Sequence, residues 1–301
     1  MNYKAWIEAA RPRTLPLAFS SALMGSFAAM NLGAFSLRIF LLALLTTLFL
    51  QILSNFANDY GDSASGLDLK NRVGPARAVQ SGAISPAAMK KAILLTSLSS
   101  LFFGLWLIFE GFGYQIQLLT VFFLLLGLGA IAAAINYTVG DHPYGYIGLG
   151  DFFVFVFFGP VGVAGTFFLH THRLPANILW PSFTIGMLSM AVLNVNNMRD
   201  AQSDAQADKK TIPVRLGFRK AKIYHTMLIL FALASLTVYI LSFTTGYLRI
   251  LPLTFALPWF ILHLLRVWKT SEAARLDPEL KKVALGTFFT TLLCGLAIAF
   301  P

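Results

Sequence analysis

Nine runs of mostly apolar residues recur along this chain, at about 15–33, 37–57, 91–109, 116–136, 151–170, 177–197, 221–243, 249–267 and 283–301. Each is close to the roughly 20 residues that carry a helix across a bilayer. Backbone polar groups in hydrocarbon must find partners within their own segment, so runs of this kind fold as helices packed into a bundle. The composition agrees: 57% of the 301 residues are hydrophobic, 12% are charged, and the mean hydropathy is +0.70. The expected fold is an all-α polytopic membrane protein with nine transmembrane helices, forming a single domain over 1–301 whose surroundings are the lipid bilayer.

A net charge of +10 invites a nucleic-acid reading, but the placement of Lys and Arg explains it better. With the N-terminus inside, 20 basic residues fall on the inner side, and only Arg38, Arg173 and Arg249 fall outside. That asymmetry follows the positive-inside rule and predicts N-in, C-out, with no nucleic-acid partner. The basic N-terminus before the first run resembles a signal peptide, yet the run is long and has no small-residue cleavage site, so it is expected to stay as a span. The single cysteine, Cys294, excludes an intramolecular disulfide and a thiolate metal site.

Against this apolar background two stretches stand out: NFANDYGDSASGLD from Asn55 to Asp68, and NVNNMRDAQSDAQAD from Asn194 to Asp208. Both fall where an apolar run enters a long basic loop, and both loops are predicted to lie inside. Asn55 and Asp59 match Asn196 and Asp200 at an offset of 141 residues, as an internal duplication would produce. On a helix Asn55, Asp59 and Asp62 share one face, as do Asn196, Asp200 and Asp204. Runs one to four and five to eight then form two parallel four-helix repeats, with a ninth helix added.

Carboxylates near hydrocarbon are costly, and two rows of them call for a reason. Oxygen-only ligands on facing rows suit a hard cation, and Mg²⁺ is usually held by a few carboxylates together with phosphate oxygens. Arg77, in NRVGPARAVQSGAIS, and Arg199, Lys209 and Lys210 stand nearby to neutralise phosphate charge. The chemistry expected is on a diphosphate. Aromatic residues beside the rows, Phe56, Tyr60, Tyr137, Tyr144 and Tyr146, suit stacking or cation stabilisation. The five histidines are too scattered for a metal set and are expected as interfacial or hydrogen-bonded groups. Gly25, Ala29, Gly159, Gly162 and Gly165 predict close helix packing, and Pro160 a kink in the fifth run.

The pattern Asn-Asp-Tyr-x-Asp, followed by Arg77 and Ser-Gly-x-Ile-Ser, with Asp-x-x-x-Asp at Asp200 and Asp204, resembles the UbiA-type superfamily of intramembrane aromatic prenyltransferases. AARPRTLP at 9–16, the Gly66/Asp68 spacing, and YTVGDHPYGYIGLGDFFVFVFFGPVGVAGT from Tyr137 to Thr166 resemble the branch that prenylates 1,4-dihydroxy-2-naphthoate in menaquinone synthesis. Asp151 and the 139–142 segment depart from that branch's usual residues. The resemblance implies a helical bundle around a central cavity. It implies two Mg²⁺ ions held by Asp59, Asp62, Asp68, Asp200 and Asp204, of which Asp59, Asp62, Asp200 and Asp204 carry the catalysis. It further implies a polyprenyl diphosphate bound by Asn55, Arg11, Arg77, Asn196, Arg199 and Lys209. An aromatic acid acceptor would meet Tyr137, Tyr144 and Asp151.

The expected product is demethylmenaquinone, formed with loss of diphosphate and CO₂ at the inner membrane of a bacterium. An alternative within the same fold is another acceptor such as 4-hydroxybenzoate. An alternative outside it, an ion-coupled transporter, would place its site near the bilayer midplane rather than at helix ends.

Overall fold

The computed structural model describes residues 2–64, 77–243 and 246–299, and these are helical almost throughout. Helix α1 (Tyr3–Ala10) is short and amphipathic: Ala5 and Ala9 are buried, and Tyr3 and Ile7 are exposed. Helices α2 (Leu15–Met30), α3 (Leu37–Ala64), α4 (Pro86–Gly111) and α5 (Leu118–Asn136) follow. The next crossing is composite, with α6 (Gly150–Val156), a π-helical stretch Phe157–Gly165 and α7 (Thr166–Thr171). Then come α8 (Leu179–Gln206), the short α9 (Ile212–Leu216), α10 (Phe218–Phe243), α11 (Leu251–Lys269) and α12 (Asp277–Ala299).

Eight of these segments are long and apolar enough to cross a membrane, the 150–171 composite counting as one. The first of the nine expected spans is shorter than its apolar run. It forms α2, which has 16 residues and rises about 24 Å. The chain turns at its end through Gly33, whose φ of 69° is open to glycine at no steric cost. The molecule is thus an all-helical membrane protein, with eight full-length spans among the described residues and a ninth, shorter apolar helix.

The duplication is visible in the packing. In the first half α3 packs against α2 and α4; in the second, α8 packs against the composite span and α10 in the same way. Helix α12 lies against α2, α8 and α11 and so joins the two halves. Met24, Phe167, Leu188, Val195, Ile229, Phe260 and Val283 meet in the main core. Large apolar side chains on the outer faces of α4 and α5, such as Leu94, Leu98, Phe102, Leu125 and Leu128, stay exposed for lipid.

Glycine sets the closest approaches. A Cβ at Gly159 would lie 2.6 Å from the Ser182 carbonyl of α8, and one at Gly61 would lie 2.5 Å from the Thr138 carbonyl. Either contact is too close for a side chain, so both positions require glycine. Pro160 falls inside the π-helical stretch, where the missing N–H is absorbed by the widened turn.

Candidate active site

Helices α3 and α8 are both 28 residues long, about 42 Å. Some 20 residues suffice for about 30 Å of hydrocarbon, so each helix is about two turns longer than a crossing needs. The last two turns hold Asn58 and Asp62 on α3 and Asp200 and Asp204 on α8, where the two polar rows end. Both are helix C-termini, where the unpaired carbonyls present partial negative charge and favour a cation.

The rows meet across one cavity of about 400 Å³. Its polar end is lined by Arg11, Asn55, Asn58, Asp62, Arg77, Gln80, Asn196, Asn197, Asp200, Asp204 and Lys209. Toward the bundle centre the lining becomes apolar, with Leu50, Leu126, Phe157, Phe158, Val161 and Val192. Tyr137, Tyr144 and Tyr146 also line the cavity.

Asp62 is the hub. Its Oδ1 accepts from Lys209 Nζ at 2.8 Å and from the Tyr146 hydroxyl at 2.9 Å, and its Oδ2 pairs with Arg77 Nη2. These donors come from three separate loops, so one carboxylate ties the mouth together. Lys209 is directed there by the end of α8: Asp208 adopts a left-handed φ of 51°, and Lys209 N donates to the Asp204 carbonyl at 2.9 Å. Its ammonium also lies 4.0 Å from Asp204 Oδ1 and 4.4 Å from the centre of the Tyr146 ring. The Lys210 N–H, donating to Tyr146 O, and Arg215, donating to Ile147 O, both at 2.7 Å, fasten the two mouth loops together.

The remaining expected residues divide by position. Arg11, Asn55, Arg77, Asn196 and Lys209 line the cavity, as do Asp62, Asp200 and Asp204. Asp59, Arg199 and Asp151 are not among the lining residues. Asp59 is buried, and its oxygens accept the N–H groups of Ala78 and Val79 at 2.9 Å each. Arg199 is buried behind Asp200 and donates to Asp200, Asn196 and Asp277. Asp151, at the start of α6, accepts from the Tyr224 hydroxyl at 3.0 Å. Asp68, Lys70 and Arg72 lie outside the described residues.

The cavity-facing row of α3 is therefore Asn55, Asn58 and Asp62, spaced i, i+3 and i+7. In this register Asn58 and Asp62 correspond to Asn196 and Asp200 at an offset of 138 residues, rather than 141. Asn58, whose Oδ1 accepts from Thr138 Oγ1 at 3.1 Å, Gln80 and Thr138 also line the cavity and are not among the residues expected from the sequence. Repetition of Asn-x-x-x-Asp at both 58–62 and 196–200 was the available clue.

Tyr137 sits in a cradle of two glycines. A Cβ at Gly145 or Gly150 would come within 3.0 Å of its ring, and Tyr144 meets it edge-on with 5.4 Å between centroids. Burial, then the charges of Asp151, Asp204 and Asp62 with the Tyr144 phenol, hold the Tyr137 phenol well above its ordinary pKa. Burial raises Tyr144 as well, and its hydroxyl donates to the Ala133 carbonyl at 2.8 Å. Both rings stay protonated across the physiological range, so they offer π faces and O–H donors rather than a base.

Among the described residues no three His, Cys, Asp or Glu side chains form a ready ligand cluster. Oxygen donors from both rows nevertheless converge on one positive charge, because Lys209 stands between Asp62 and Asp204. That donor set fits a hard divalent cation completed by phosphate oxygens. Arg77 adds a second fit: it lines the cavity, its Nε and Nη1 are buried without a hydrogen-bond partner among the described residues, and guanidinium donors suit an anion.

The description "UbiA prenyltransferase family" belongs to the family model that matches residues 18–293. A 1,4-dihydroxy-2-naphthoate octaprenyltransferase of Haemophilus influenzae is 41% identical, over 98% of this chain and 96% of its own. The protein of that name from Escherichia coli is also 41% identical, over 98% and 95%. Among solved structures, a UbiA homolog from Aeropyrum pernix K1 superposes with a TM-score of 0.69 at 16% identity, covering 95% of this chain and 96% of its own. A UbiA homolog from Archaeoglobus fulgidus bound to GPP and Mg²⁺ gives 0.63 at 18%, covering 98% and 99%. At those identities the two structures speak for the fold, and the sequence matches carry the family: this chain belongs to the UbiA prenyltransferase family.

Proposed function

We propose that this protein transfers a polyprenyl chain from its diphosphate to 1,4-dihydroxy-2-naphthoate, releasing diphosphate and CO₂ and yielding demethylmenaquinone in its reduced, diol form. The observation that carries this reading is the meeting of Asp62 and Asp204 about one positive charge at the mouth of an apolar cavity. The names of relatives at 41% identity over nearly the whole chain support the acceptor.

The residues divide the work. Asp62, Asp200 and Asp204, with Asn58 and Asn196, would hold Mg²⁺; two ions suit the two rows, and when bound they neutralise charge on the leaving diphosphate. Arg77, Lys209 and Arg11 bind the diphosphate oxygens and stabilise the charge that develops as the C–O bond to the prenyl group breaks. The apolar lining receives the prenyl chain and excludes water from the allylic cation. The π faces of Tyr137 and Tyr146 stabilise that cation. The ring carbon bearing the carboxylate then supplies an electron pair for the new C–C bond. The carboxylate leaves as CO₂, and its bonding pair restores the aromatic ring.

The 20-to-3 split of basic residues supports an N-in, C-out arrangement in a bacterial inner membrane, with the cavity mouth on the cytoplasmic side. The deciding experiment gives purified protein a defined polyprenyl diphosphate with carboxyl-labelled 1,4-dihydroxy-2-naphthoate or with 4-hydroxybenzoate. The bicyclic acid should be prenylated with release of labelled CO₂. A monocyclic acid forgoes roughly 60 Å² of apolar contact, about 1.5 kcal/mol, and should bind on the order of tenfold more weakly. Faster turnover of 4-hydroxybenzoate would overturn the acceptor assignment.

A further inference from the structure

Asp59 sits in the sequence where a metal ligand is expected, yet its carboxylate turns away from the cavity. Its side chain is buried, with Oδ2 accepting from Ala78 N and Oδ1 from Val79 N, both at 2.9 Å. A carboxylate engaged through both oxygens by consecutive backbone amides fixes those amides as a nest fixes an anion. The segment it fixes is a compact turn. Ser81 N donates to Arg77 O at 2.9 Å and Ile84 N to Ala78 O at 3.0 Å, while Ala78 and Ile84 pack with Phe56, Ala9 and Met89. Arg77 begins this turn, and its side chain leaves toward Asp62 and the cavity.

We infer that Asp59 is a positioning residue: it anchors the 77–82 turn that aims Arg77 at Asp62 and at the diphosphate, and it supplies no metal ligand. Asp59 and Asp62 are three residues apart yet do different work. Asp62 meets the cations of the cavity, and Asp59 holds the arm that delivers one of them. The same turn brings Gln80 to the cavity wall, so Asp59 places two lining residues at once. The anchoring role stands on the turn's own geometry, whereas the aim at diphosphate rests on the proposed function.

The test has one arm for each part. A spin label at exposed Ala83, introduced as Ala83→Cys, reports the order of the turn, and the native Cys294 is fully buried and will not compete. The label should be immobile in the otherwise native protein and in Asp62→Ala, and several-fold more mobile in Asp59→Ala. Unchanged mobility in Asp59→Ala overturns the anchoring role. In the second arm, inorganic diphosphate should bind roughly tenfold more weakly to Asp59→Ala and to Arg77→Ala, and the double variant should bind no more weakly than Arg77→Ala alone. At saturating diphosphate, Mn²⁺ affinity should stay within about twofold of native in Asp59→Ala and collapse in Asp62→Ala. Multiplicative losses in the double variant, or Mn²⁺ binding lost in Asp59→Ala, overturn the proposal. Native protein that binds no diphosphate sinks the functional reading and the aim of Arg77 with it, while the label still decides whether Asp59 holds the turn.

Discussion

Arg199 grips the carboxylate of its chain neighbour Asp200 through two hydrogen bonds, Nε to Oδ1 at 2.8 Å and Nη2 to Oδ2 at 2.6 Å. Adjacent residues on a helix point in different directions, so this pairing needs the long guanidinium to fold back, and Asn196 and Asp277 hold it there. Asp277 opens α12 and also receives Arg13 at 3.3 Å. One buried cation thus connects the cavity row of α8 to the helix that joins the two halves. Removing it takes its bidentate partner from the buried Asp200 carboxylate and one of two cations from Asp277, a loss of about 3 kcal/mol for a buried pair. Arg199→Ala should lower the unfolding temperature in detergent as well as turnover. Arg199→Lys, which keeps the charge without the planar fork, should stay folded and lose roughly tenfold in rate.

For the acidic rows the expected result concerns chemistry rather than folding. Asp62→Ala, Asp200→Ala and Asp204→Ala should each remove most turnover, because each deletes oxygen donors facing the cavity. Chelation should abolish native activity and added Mg²⁺ restore it. Near-native rates in metal-free buffer, read by prenylated product, would contradict this assignment.

Tyr137 provides a test with a pH axis. A phenol held above its ordinary pKa remains neutral as pH rises, so its protonated form persists at least through pH 10. If it acts through its ring, Tyr137→Phe should retain most activity, with a pH profile from 7 to 10 that superimposes on the native one. Tyr137→Leu should lose roughly tenfold, since it removes the π face. Gly150→Ala should mimic the Leu variant by pushing the ring from its seat. A new pH limb in Tyr137→Phe would point to a proton-transfer role.

The topology is tested directly by fusions. A reporter after Pro301 should read out as external and one near Ala274 as cytoplasmic. Mapping Asp62 and Asp204 to opposite faces would exclude a shared site.

Away from the cavity, a buried chain joins α10, α11 and α12: His225 Nε2 meets His263 Nε2 at 2.8 Å, His263 Nδ1 meets Glu279 at 2.8 Å, and Glu279 pairs with Lys282. Replacing Glu279 with Ala strands a buried imidazole and should cost stability, about 1–3 kcal/mol. Thermal unfolding should detect the loss while the affinity for prenyl diphosphate holds.

What the sequence determined by itself follows from period and length. Apolar runs of about 20 residues admit only helices in lipid, and the Lys and Arg asymmetry sets the orientation expected of them. The recurrence of Asn and Asp at the ends of the second and sixth runs pointed to the candidate site, because carboxylates so near hydrocarbon require partners. The rotation of α3 was settled only by packing. At about 100° per residue, Asn58 and Asp59 point about 100° apart on a face that also holds Asn55 and Asp62, and spacing alone allows either to look inward. Contact of Gly61 with the Thr138 backbone fixes that rotation, turning Asn58 to the cavity and Asp59 to the 77–82 turn. The same holds for Arg199 and the His225, His263 and Glu279 chain. Their partners lie 78, 38 and 16 residues away, and side-chain pairings over such distances exist only once the helices have been brought together.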